Sequence, residues 1–301
     1  MKRVQRLAIQ TTALVCAVFL VVGSNVAFAQ SSNVQKALED VKTKVDDLVS
    51  AKDESPASAL ALRIATFKKV LSFAITEAED LKVKLLTVDE QNRSEMIEGW
   101  RNGAIADINK AIAVYRASEQ ELEDETATLS EVQKSAEAFK AFREDTFSPL
   151  ADTIQNFLLL NHEEKVLTVA TRRLDKVSED VKKLEAVKFK GAKDLKNMLA
   201  QAETALEAGE ETHRKAWTLF EESIFADTES MDGEEVTTAT TTLRNEEQSG
   251  NSDEANASSS ASSAAGEESS IKDLAKSSLD SVQEAYRIFI EMSNFVRKLL
   301  K

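Results

Sequence analysis

Along most of this chain, apolar side chains recur at alternating steps of four and three residues. The clearest run follows Ser55-Pro56: Leu60, Ile64, Phe67, Leu71, Ala74, Ala78, Leu81, Leu85 and Val88. That spacing holds one narrow seam against a partner helix. Ser-Pro supplies a cap with proline at the first helical position. Val34, Leu38, Val41, Val45 and Leu48 predict a shorter helix before this one. Ile97, Ala104, Ile108, Ala111, Tyr115 and Leu122 predict another after it, opened by a capping box at Thr87-Val88-Asp89-Glu90.

Further on, the breaks are written in charge and in proline. Glu119, Glu121, Glu123, Asp124 and Glu125 crowd together, and negative charge at a helix C-terminus opposes the macrodipole. A break is expected near residues 126–130, with Ser130-x-x-Gln133 as the next cap. Pro149 falls inside an apolar stripe, where a proline costs about 3 kcal/mol, so a kink or restart is expected at Ser148-Pro149. Asn161-x-x-Glu164 is another candidate cap, ahead of Leu167, Ala170, Leu174, Val177, Val181 and Leu184. Lys190-Gly191 reads as a helix end, with glycine taking the left-handed conformation. Leu195, Leu199, Ala202, Leu206, Gly209, His213, Ala216, Phe220 and Ile224 mark the next helix.

From Asp227 the pattern stops. Residues 227–270 carry eleven acids and one arginine, with threonine and serine runs at 237–242 and 258–263. Such a segment cannot bury enough surface to offset its ordering entropy. The spacing resumes at Ile271 and continues through Ala275, Ser278, Val282, Ala285, Phe289, Met292, Val296 and Leu299, with Ser269 or Ser270 as the cap. The pattern therefore predicts an all-α fold. An elongated antiparallel helical bundle of coiled-coil-like hairpins spans 30–226. A disordered acidic linker spans 227–270, and a separate C-terminal amphipathic helix spans 271–301.

The first residues read as an export signal. Lys2, Arg3 and Arg6 precede an apolar stretch ending near Val22, and Ala27-Phe28-Ala29 supplies the small-x-small cleavage pattern. A signal peptide at 1–29, cut after Ala29, places the mature chain outside the cytoplasm: secreted, periplasmic or on a cell surface. Cys16 is the one cysteine and leaves with the signal, so the mature chain has no disulfide, thiolate nucleophile or cysteine ligand. Removing three cations takes the net charge from −14 to −17. That balance argues against nucleic acid, which needs a basic face.

Candidate chemistry is sparse. Glu210 and His213 form an E-x-x-H pair, the spacing used by diiron bundles, but such a site needs a second pair and two more glutamates. The competing reading is a core-edge histidine packed one turn before Trp217. Gly99-Trp100-Arg101-Asn102-Gly103 sets two glycines inside a helical pattern, at about 1 kcal/mol each against alanine. They would allow close helix approach or leave room for a ligand beside Trp100. Phosphate-binding glycine loops, a nucleophile elbow and H-E-x-x-H are all missing from the sequence. No cofactor and no enzymatic activity are expected, although a carboxylate-based hydrolase remains as a third reading. The leading expectation is a non-enzymatic interaction or scaffolding protein whose partners, itself or another protein, meet it through helix–helix contacts. The alternative is a small-ligand- or metal-binding bundle. The mixed polar face of 271–301 suits helix packing better than a bilayer.

Overall fold

The computed structural model describes residues 31–51, 55–88, 94–122, 128–225 and 261–300, with the backbone alone at 56 and 261–270. The expected signal peptide and residues 227–260 of the expected linker lie outside them. The described residues are all-α with helical-bundle packing and form no strand. Among the described residues seven α-helices follow in order: α1 Ser32–Ser50, α2 Pro56–Leu86, α3 Glu95–Glu121, α4 Leu129–Phe142, α5 Ser148–Ala186, α6 Ala192–Phe225 and α7 Ala261–Leu299. They divide into two compact units, Met1–Leu158 and Leu159–Lys301.

In the first unit α1, α2 and α3 run antiparallel in turn. Lys69 reaches Asp40 while Thr66 reaches the Lys44 carbonyl, and Arg116 reaches Glu79 while Lys82 reaches Asn109. The stripe read from α2 is buried from Phe67 to Leu85. Against it pack Ile108 and Tyr115 of α3 and Phe139 of α4. Tyr115 meets Phe139, Phe142 and Phe147 with ring centroids 5.5, 5.6 and 5.7 Å away. Each such pair contributes about 0.5–1.5 kcal/mol beyond burial.

The second unit pairs the later part of α5 with α6 and α7. Thr171 bonds Glu210, and Lys196 bridges back to Glu185, so α5 and α6 are antiparallel. Gly191, at the start of α6, lies under Leu299 and Phe295, whereas Gly209 lies beside Ser278 and Ser281. Residue numbers rise along α6 as they fall along α7, so α7 folds back antiparallel onto α6. Leu195, Ala202 and Leu206 share one core with Val282, Ala285, Phe289 and Met292.

Several boundaries differ from those expected. Thr87 closes α2, and Ser94 caps α3 through its hydroxyl, so α3 is not opened at Thr87 as expected; Asp89 and Glu90 of the expected box lie outside the described residues. The break between α3 and α4 is real, but the reciprocal cap is Thr128 with Glu131, two residues before the expected pair. Glu131 accepts from the Thr128 N–H at 2.7 Å, and its carboxylate, unlike an amide, also carries negative charge suited to a helix N-terminus. At Ser148-Pro149 the expected restart is found, without a break in the chain's helical course. A π-helical turn at Arg143–Phe147 absorbs the misfit, with the Ser148 N–H donating to the Arg143 carbonyl, and α-helix resumes at Ser148. Asn161 caps nothing: it is buried inside α5. α7 begins at Ala261, ten residues before the apolar pattern resumes, so Ser269 and Ser270 lie within it.

The α5–α6 turn uses a different left-handed residue from the one expected. The Phe189 N–H donates to the Leu184 carbonyl, and the Lys188 N–H to the Glu185 carbonyl. This is the Schellman arrangement, and its left-handed position is Lys188 at φ +55°. Gly191, at φ +100°, instead lets the chain enter α6 beneath Leu299.

Candidate functional site

His213 is not paired with Glu210 as the E-x-x-H spacing suggested. Its Nε2 accepts a hydrogen bond of 3.0 Å from the Trp217 indole N–H, one helical turn on. In the neutral imidazole the proton therefore sits on Nδ1. That atom faces Glu163 of α5, 3.1 Å from Oε2, although the two are misaligned for a straight hydrogen bond. Glu163 is 0 % exposed and His213 9 %. The acid facing His213 is thus Glu163, across the seam, and not Glu210. Glu210 is exposed and accepts from the Thr171 hydroxyl at 3.1 Å.

Both residues border an open groove of about 340 Å³ between α5 and α6, lined also by Glu164, Leu167, Thr168, Thr171 and Arg172. Glu163 lies behind it. Among the described residues, no three His, Cys, Asp or Glu side chains stand close enough to share a metal ion. The groove offers one imidazole, committed to Trp217, with acidic and hydroxyl groups around it.

Trp100 packs on Phe157, with ring centroids 5.1 Å apart. Gly99 and Gly103 do not make room for it. A Cβ on either would meet nothing within 4 Å, and both are exposed. The close helix approach suggested by the two glycines is therefore absent at these positions.

A second buried polar group escaped the sequence reading. Arg143 begins the π turn and bonds Glu77 of α2 at 2.7 Å. Its guanidinium stacks 5.4 Å from the Phe147 ring centroid. Burial pushes the Tyr115 hydroxyl well above the usual phenol range, with the Arg143 charge opposing and the Glu77 charge adding to the shift. One signal could have found these groups. Arg143 continues the spacing Phe139–Phe147, Glu163 the spacing Leu160–Leu167, and Arg101 the spacing Ile97–Ala104. All three are buried charges at seam positions. Comparison with protein-family models, with curated proteins and with solved structures brings no match.

Proposed function

We propose that the chain is a non-enzymatic helical interaction or scaffolding protein acting outside the cytoplasm. The supporting observation is where its buried charges go. Glu77 pairs with Arg143, and Glu163 faces His213, each across a helix seam. Such pairs fix helix register rather than wait for a substrate. The signal-like N-terminus supports the location. Since α7 already packs along α6, binding falls to other surfaces. Exposed apolar side chains include Leu86 and Met96 beside one connection, and Val187, Leu299 and Leu300 beside another.

Export is tested by mass spectrometry of the chain from its native host. A protein starting at Gln30 in the extracytoplasmic fraction supports the reading, and an intact N-terminus in the cytosol overturns it. The groove at His213 favours the second reading, a ligand- or metal-binding bundle. Stoichiometric metal in the purified protein, lost in His213→Ala, would establish that reading instead.

A further inference from the structure

The end of the second unit where α6 starts gathers a cluster of cations in an otherwise acidic chain, with Glu185 and Asp194 at its margin. The turn contributes Lys188 and Lys190, the first turn of α6 contributes Lys193, and the end of α7 contributes Arg297 and Lys298. All five are exposed. The packing of Leu299 and Phe295 over Gly191 brings these two stretches together. Neither 187–193 nor 295–300 contains an acidic residue. Among these cations stand Val187 at 73 % and Leu300 at 72 % exposure, with Leu299 beside them. The sequence separates the two stretches by more than a hundred residues, so α7 read alone shows a mixed face.

We propose that this end of the bundle docks on an anionic lipid surface. The inference rests on the reading above, that the chain works by binding, and names the partner of one surface. Clustered lysines near apolar side chains match a headgroup layer, where each cation gains from the surface potential and the apolar tips enter the interface. Docking is peripheral, since no described helix is long and apolar enough to cross a membrane. α6 ends at Phe225 and α7 starts at Ala261, both at the end of α6 away from this patch; with a 1.5 Å rise per residue that end is about 50 Å off.

The test is co-sedimentation of the chain beginning at Gln30 with vesicles. One set is pure phosphatidylcholine, the other contains about 30 % phosphatidylglycerol. Binding to the anionic vesicles alone is expected, falling at least about tenfold at about 0.5 M salt. Lys188→Glu with Lys190→Glu and Lys193→Glu should lower it about 100-fold or more with an unchanged circular-dichroism spectrum. Val187→Asp with Leu300→Asp should abolish the salt-resistant part. Equal binding to neutral vesicles, no binding to either, or unaltered binding by the lysine variant would each overturn the proposal. So would self-association of the wild type that the lysine variant abolishes, since a second copy would then occupy this end. That last result leaves the interaction reading intact, whereas stoichiometric metal at His213 would remove it.

Discussion

Glu163 and His213 stand 3.1 Å apart across the α5–α6 seam, the carboxylate wholly enclosed. Removing the imidazole leaves that acid alone and takes away the acceptor used by Trp217. His213→Ala should cost about 2–4 kcal/mol of stability. Glu163→Leu combined with His213→Leu should be at least about 1 kcal/mol more stable than the sum of the single variants. Urea midpoints of the four proteins measure this.

Lys188 takes a left-handed conformation that a side chain opposes, so Lys188→Gly should stabilise by about 1 kcal/mol. Gly191→Ala should destabilise by about 1–3 kcal/mol. Its φ is +100°, and the new Cβ would stand 2.7 Å from Leu299 Cδ1. Thermal unfolding of both variants gives the two opposite signs.

Gly99 and Gly103 sit at exposed positions of α3 with open space around them. Gly99→Ala and Gly103→Ala should each raise stability by about 0.5–1 kcal/mol. A loss in either would restore the idea that these glycines accommodate something beside Trp100.

Tyr115 keeps its proton in the folded state to a higher pH than in the unfolded chain, because burial disfavours the phenolate. Its contribution is complete below the ordinary tyrosine pKa of about 10 and is lost as pH rises beyond it. Tyr115→Phe should therefore flatten the loss of stability between about pH 10 and 12. Because the hydroxyl has no hydrogen-bond partner of good geometry, the change should be near-neutral at pH 7.

The helices were legible because apolar spacing is a local property of the chain. Phe67, Leu71, Ala74, Ala78, Leu81 and Leu85 are read from spacing alone, and all are buried. Their ends were less legible because several side chains compete for each cap. Thr128 and Glu131 beat Ser130 and Gln133, and Lys188 takes the place expected of Gly191. For the candidate site, spacing pointed to His213 beside Trp217 but not to Glu163. That acid lies on another helix, and a charge is read as solvated unless its seam position is weighed. The meeting of 188–193 with 297–300 depends on α7 folding back, which periodicity cannot decide.

That fold-back can be tested with one bond. A Cβ placed on Gly209 would stand 3.4 Å from the Ser281 Cβ, close to the roughly 3.5–4.5 Å that a disulfide requires. Cys16 is absent from a chain beginning at Gln30, so Gly209→Cys with Ser281→Cys carries only the designed pair. Oxidation should close it within one chain, giving a monomer by mass that migrates faster without reductant. Free thiols, or a disulfide only between chains, would contradict the packing of α7 on its own α6.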